Sequence, residues 1–141
     1  MRTFVVLAVS IVLVSILFCP MAMSAPSMPD DLQIVQPDPS LPKELSAFFG
    51  KWESIAYPMV LFVIVEKIDE EKASLCIWRD GFYPPEVTLG WARYEAKVIK
   101  EYGKYKLWFI GPRGNVILTL KGNYLDYSSG PNSNNRLTRV P

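Results

Sequence analysis

The strongest constraint on the fold is a series of eight short segments, rich in β-branched and aromatic residues, between Lys51 and Val140. Each segment with its turn takes about 11 residues, and the turns carry Gly, Pro, Asn or charged side chains. This regular spacing is typical of an antiparallel sandwich or an up-and-down barrel, and we predict the barrel. The predicted strands are residues 51–57, 60–68, 73–79, 91–101, 105–110, 115–120, 124–127 and 136–140.

The alternation of side chains predicts which residues face the interior of this all-β barrel. In the fourth segment, Tyr94 and Ala96 share one face of the predicted strand. The opposite face carries Arg93, Glu95 and Lys97, which we expect to be solvated. An eight-stranded barrel has an interior that side chains either fill or leave open to one small ligand, so both alternatives remain.

The first 24 residues have the features of a secretory signal peptide. Arg2 precedes an apolar run of about 15 residues, and the small residues Ala22 and Ser24 precede Ala25. We expect cleavage before Ala25 and export to the periplasm or the cell exterior, with no stable membrane span left in the mature chain. The alternative is an uncleaved N-terminal membrane anchor, although the run is short for a span of roughly 20 residues.

Residues 25–47 are predicted to form a proline-rich, extended arm that leads into a barrel domain at residues 48–141. Five prolines between residues 25 and 43 are incompatible with a regular helix or a central strand. A single helical turn is expected over residues 43–49, because Pro42 is well placed at its start.

The residue types that the chain lacks exclude several classes of function. There is no histidine, which excludes Ser-His-Asp and Cys-His catalysis and removes the commonest zinc ligand. Cleavage before Ala25 would leave 14 basic and 14 acidic residues, so bulk charge does not favour nucleic acid. We expect no metal, no cofactor, no nucleic-acid partner and no enzyme activity, and a carboxylate pair such as Glu53 and Glu66 is the remaining route to catalysis.

A single cysteine, Cys76, would remain after cleavage, so no intramolecular disulfide can form in the mature chain. A free reactive thiol is one interpretation. Because Cys76 lies between Leu75 and Ile77, we favour a buried and inert thiol.

Gly50-Lys51-Trp52 opens the first predicted strand, and a meander of strands follows. In this the chain resembles the calycin superfamily, which comprises lipocalins, fatty-acid-binding proteins and avidins. In lipocalins a Gly-x-Trp enters the first strand, and an arginine of the last strand packs over the Trp ring to close one end of the barrel. The resemblance implies that Gly50 and Trp52 close the barrel with either Arg136 or Arg139, and such stacking contributes about 0.5–2 kcal/mol.

Five aromatic residues are candidates for ligand contact away from that closed end. Phe82 and Tyr83 lie in a proline-braced connection, where aromatic rings suit stacking on a sugar, an aromatic ligand or a partner protein. Trp91, Tyr94 and Trp108 would line a pocket with polar tips if they point inward, whereas core packing or an exposed stripe is the alternative.

Two functions follow from these expectations. The first is an exported, non-enzymatic barrel that binds a small hydrophobic or amphipathic ligand. The second is a filled barrel that docks a protein or cell-envelope partner through its loops, mainly residues 80–90 and 128–135. The packing of the barrel interior distinguishes the two hypotheses. The carrier hypothesis fails if the inward faces of the fourth to sixth strands close on one another.

Overall fold

The structure is a computed structural model, and it describes residues 26–56, 59–80, 90–131 and 133–141. The predicted signal peptide lies outside the described residues, as do Phe82 and Tyr83. The described chain begins with an irregular segment and one short helix, and a sheet follows.

Eight antiparallel strands close into a barrel in which each strand pairs with its neighbours in sequence, and β1 also pairs with β8. This confirms the predicted up-and-down, all-β barrel, and every predicted strand end lies within two residues of the observed one. The elements are α1 Lys43–Ser46, β1 Gly50–Ala56, β2 Met59–Ile68, β3 Lys72–Asp80, β4 Gly90–Glu101, β5 Lys104–Gly111, β6 Gly114–Lys121, β7 Tyr124–Ser128 and β8 Asn134–Val140.

The up-and-down order separates the two ends of the barrel, which we name the base and the mouth. The base contains α1, the start of β1, the end of β8 and the tight turns that follow β2, β4 and β6. The mouth contains the ends of β3, β5 and β7 and the starts of β4, β6 and β8. Odd-numbered strands therefore run from base to mouth, and even-numbered strands return.

The interior is packed with apolar side chains, because alternate residues of each strand face the barrel axis. Five strands each contribute a leucine that is 0 % exposed, and these leucines belong to one continuous hydrophobic core. They are Leu75, Leu107, Leu118, Leu125 and Leu137. Side chains therefore fill the middle of the described barrel.

Candidate functional site

The base is closed by Trp52 and Arg139. Trp52 is 2 % exposed, and its indole Nε1 donates a hydrogen bond of 2.9 Å to the carbonyl of Phe48. The guanidinium carbon of Arg139 lies 4.2 Å from the centroid of the Trp52 ring. Arg139 also donates to the carbonyls of Phe49 at 2.7 Å and Ala47 at 2.6 Å. The carbonyls that follow α1 have no hydrogen-bond donor from the helix, and Arg139 provides the donors that they lack.

Gly50 makes room for this arrangement. Its φ is 113°, a conformation that favours glycine, and a Cβ there would lie 2.9 Å from Nη1 of Arg139. Arg136 has a different partner, because its guanidinium lies 4.1 Å from the centroid of the Tyr124 ring. Of the two arginines that the sequence offered, Arg139 is therefore the one that covers Trp52.

The mouth contains a second arginine with a different environment. Arg79 faces the interior in phase with Leu75 and Ile77, and it is only 3 % exposed. Its Nη1 donates to the hydroxyl of Tyr94 and its Nη2 to the hydroxyl of Tyr127, each at 2.9 Å. Its guanidinium carbon lies 5.2 Å and 6.0 Å from the two ring centroids. Among the described residues, Arg79 forms no salt bridge.

The charge states of this cluster follow from its contacts. Burial alone would lower the pKa of Arg79, but the hydroxyls of Tyr127 and Tyr94 outweigh it, and the pKa is raised. Burial also raises the pKa of Tyr127, with Arg79 acting in the opposite direction. At neutral pH the mouth therefore holds a buried cation beside a neutral phenol.

A small cavity adjoins Arg79 at the mouth, with a volume of about 60 Å³. None of the described residues that line it is acidic. The polar side chains that line it are those of Arg79, Arg113, Tyr127, Ser129, Ser133 and Asn135.

The sequence-based candidates included Tyr94 but neither Arg79 nor Tyr127. One signal for Arg79 was present, since it lies in phase with two buried apolar residues of β3, where a charged side chain is unusual. Pairing with Tyr127 was not visible, because 48 residues separate it from Arg79.

None of the described aromatic candidates lines this cavity, although Tyr94 accepts a hydrogen bond from Arg79. Trp91 and Trp108 lie on the outer wall, because they alternate with the inward-facing residues of β4 and β5. The indole Nε1 of Trp91 donates to the carbonyl of Ser27 at 2.8 Å, and Lys97 Nζ lies 6.0 Å from the Trp108 ring centroid. The pocket-lining role expected for both tryptophans is therefore corrected, and only Tyr94 faces inward.

The proline-rich arm lies against the outer wall of the barrel. The amides of Gln33 and Val35 donate to Glu66, to its side chain at 3.0 Å and its carbonyl at 2.8 Å. Arg93 pairs with Asp31 at 2.7 Å and with Glu66 at 3.5 Å. The side-chain hydrogen bond from Arg93 is the main cause that lowers the pKa of Asp31. Arg93 is exposed as expected, but it also fastens the arm.

The arm crosses the strand that carries Cys76. Glu66 belongs to β2 and Arg93 to β4, and these strands flank β3. Cys76 pairs in register with Arg93 and is 1 % exposed. Burial raises the pKa of its thiol, and the nearby Glu66 carboxylate acts in the same direction. Cys76 is thus a free, buried thiol beneath the arm.

Two features are absent from the part of the chain that the structure describes. No group of three or more His, Cys, Asp or Glu side chains is placed to hold a metal ion there. No helix in those ranges has both the length and the apolar character that a membrane crossing requires. Comparison of the chain with protein-family models, with curated proteins and with solved structures gives no match. The function is therefore inferred from the geometry of the barrel.

Proposed function

We propose that the protein is an exported, non-enzymatic, calycin-like barrel that acts as an interaction module and docks a protein or cell-envelope partner at its mouth. The observation that carries this proposal is the filled interior. Among the inward residues of β4 to β6, Tyr94 and Val98 are partly buried against the core, and five are at most 1 % exposed within it. These five are Ala96, Leu107, Phe109, Val116 and Leu118.

The size of the mouth cavity supports docking over carriage. Pockets for drug-sized ligands have volumes of roughly 300–1,000 Å³, whereas the cavity beside Arg79 has about 60 Å³. A hydrophobic or amphipathic ligand would have to displace core side chains, and their contacts stabilise the barrel. A group that projects from a larger partner needs no such space.

The chemistry of the two ends supports a non-enzymatic role at the mouth. The base is occupied by Trp52 and Arg139, which complete the fold. At the mouth, Arg79 stays charged, and the phenol of Tyr127 has a raised pKa. Neither group exchanges a proton readily near pH 7, so the pair is poorly suited to acid–base catalysis. Glu66, one of the two carboxylates considered for catalysis, is bound to the arm through Gln33 and to Arg93.

The calycin-like and exported parts of the proposal have separate support. Gly50, Trp52 and Arg139 adopt the arrangement that the resemblance to lipocalins implies. Export is supported by the charge and hydropathy pattern of the first 24 residues. N-terminal sequencing of the protein from its natural host tests export, with a mature chain that starts near Ala25 as the expected result. A mature chain that retains Met1 contradicts cleavage.

Site-specific photo-crosslinking in the natural host tests docking at the mouth. One variant carries the photoreactive residue at Pro131, in the exposed turn between β7 and β8 at the mouth. The matched control carries it at Asn123, in the exposed turn between β6 and β7 at the base. Crosslinked partners are expected from position 131 and not from position 123.

Native mass spectrometry of the unlabelled protein provides the opposing test. We expect the mass of the bare chain and no uptake of a fluorescent fatty-acid analogue. A stoichiometric apolar molecule that co-purifies, together with crosslinks that are equal at both ends, would contradict the docking proposal and restore the carrier hypothesis.

A further inference from the structure

We infer that the mouth cavity is a binding site for a single carboxylate group, held by Arg79 together with the hydroxyl of Tyr127. The inference rests on the proposed docking at the mouth, and it names the chemistry that the mouth would recognise.

The first argument is that Arg79 has no ion-pair partner among the described residues. Its side chain is 3 % exposed, and none of the described carboxylates lies within ion-pair distance. A buried charge is costly unless it is paired and hydrogen bonded, because burial removes its hydration. The two hydroxyls compensate only in part, since they are neutral dipoles. A bound anion would complete the pairing.

The second argument is a count of donors and acceptors. A guanidinium has five N–H donors and no acceptor, and Arg79 uses two of its donors on the hydroxyls. Each hydroxyl accepts from Arg79 and keeps its own O–H to donate. Within the described part of the chain, neither Tyr94 nor Tyr127 donates that proton to an acceptor. The cluster therefore presents donors, and it suits a ligand group that only accepts.

The third argument is the composition and size of the cavity wall. Beside Arg79 the wall carries the hydroxyl of Ser133 and the amide of Asn135. Among the described residues, no carboxylate lines this wall. The small volume of about 60 Å³ favours one small anionic group over a larger ligand. A carboxylate also accepts from an arginine with two oxygens at once, which adds geometric selectivity.

A carboxylate at this site has two natural sources, a peptide chain or a small free acid. The mature protein is therefore titrated with three probes: acetate, Ala-Ala-Ala with a free C-terminus, and the same tripeptide as its C-terminal amide. Amide proton and nitrogen chemical shifts of Ser133 and Asn135 report binding, and sodium chloride at equal ionic strength is the control. Saturable shifts are expected with acetate and the tripeptide acid, and not with the amide or chloride.

Variants identify the residues that hold the carboxylate. Arg79→Met is expected to weaken binding at least tenfold, whereas Arg136→Met, on the outer wall, leaves it unchanged. Tyr127→Phe removes one hydroxyl and keeps the ring, so it is expected to weaken binding severalfold even if Arg79→Met does not fold. Unchanged affinity in a folded Arg79→Met or in Tyr127→Phe overturns the assignment, as do equal shifts with chloride.

The outcomes also separate this inference from the proposed function. Crosslinks at the mouth without any response to acetate or the tripeptide acid leave docking intact and refute the carboxylate. A response to acetate without crosslinks at the mouth refutes docking and supports a small acid as ligand. Tighter binding of the tripeptide acid than of acetate supports a peptide source, and equal affinities support a free acid.

Discussion

Each end of this barrel places an arginine against aromatic rings, but the two arginines do different things. At the base, Arg139 lies 4.2 Å from the centroid of Trp52 and donates to two backbone carbonyls. At the mouth, Arg79 lies 5.2 Å from the centroid of Tyr94 and donates to two phenolic hydroxyls. Arg139 is an exposed side chain, whereas Arg79 is buried.

The difference shows that the partner of an arginine decides its role more than the ring beneath it. The two carbonyls at the base accept hydrogen bonds from Arg139, and a carbonyl has no proton of its own to donate. A hydroxyl that accepts from arginine can still donate, and within the described residues the hydroxyls of Tyr94 and Tyr127 donate to no acceptor. The base therefore completes the fold, and the proposed recognition belongs to the mouth. Each of the following predictions tests this division.

The largest effect is expected at the base. Trp52→Ala removes a ring that is 2 % exposed, and we expect the free energy of unfolding to fall by about 3–5 kcal/mol. Urea denaturation followed by circular dichroism measures this change. Trp108→Ala, on the half-exposed outer wall, is the matched control and should cost about 1 kcal/mol or less. Equal losses in the two variants would show that the base is not the stabilising end.

The next effect is expected for the arginine that covers Trp52. Arg139→Met removes the cation above the ring and two hydrogen bonds to carbonyls, and we expect a loss of about 1–2 kcal/mol in the free energy of unfolding. Arg136→Met removes an exposed cation from the Tyr124 ring alone, and should cost less than about 1 kcal/mol. Urea denaturation of both variants checks the order. The interpretation of the base is wrong if Arg136→Met costs more.

A smaller change in stability is expected at the mouth. Arg79→Met removes two hydrogen bonds but also removes the cost of a buried cation, so we expect the free energy of unfolding to change by about 1 kcal/mol or less. The same urea experiment measures it. A loss of more than about 3 kcal/mol would instead show that the Arg79 cluster is a structural brace, and the contrast between the two ends would disappear.

The arm lies along the outer wall between the two ends, and its attachment is tested separately. Arg93→Ala breaks its pairs with Asp31 and Glu66, so we expect the arm to detach more often and Cys76 to react several times faster with a thiol reagent. Global stability should change by about 1 kcal/mol or less, because exposed ion pairs contribute little. Lys97→Ala, on the same outer face of β4, is the control and should leave the labelling rate unchanged. An unchanged rate in Arg93→Ala would contradict the role of Arg93 in holding the arm.

The last prediction concerns pH and carries the smallest expected effect. Because Arg93 lowers the pKa of Asp31 below its ordinary value of 3.8, the pair stabilises the docked arm fully above that value. This contribution is lost as pH falls through the lowered pKa. The exchange of the Val35 amide hydrogen, which is bonded to Glu66, should show less protection only below about pH 4. In Asp31→Asn that loss of protection should be smaller, and an identical pH profile would contradict the assignment.

Much of the fold was predictable because each strand carries its own signal. Segments such as VLFVIVEKI combine β-branched residues with clear boundaries at turns, and the antiparallel order follows from short connections. The Gly50-Lys51-Trp52 motif also lies within a single strand, and it indicated the closed end. The choice between Arg136 and Arg139 was not predictable, since it depends on the register that places Arg139 opposite Trp52.

The mouth site and the docked arm were less accessible to prediction. Alternation placed Tyr94 inside, but the outward direction of Trp91 and Trp108 depended on the phase of strands whose two faces both carry aromatic rings. The prolines of the arm predicted an extended segment, and they carried no information about the wall on which it lies.

The sequence alone determined the strands, their order and the charge balance of the chain, because propensity, alternation and turn residues act between near neighbours. Only the tertiary structure decided that the interior is filled, that Arg139 covers Trp52, and that Arg79 meets Tyr94 and Tyr127 in a buried cluster. These contacts join strands that are distant in sequence, and their hydrogen bonds depend on the register and curvature of the closed sheet.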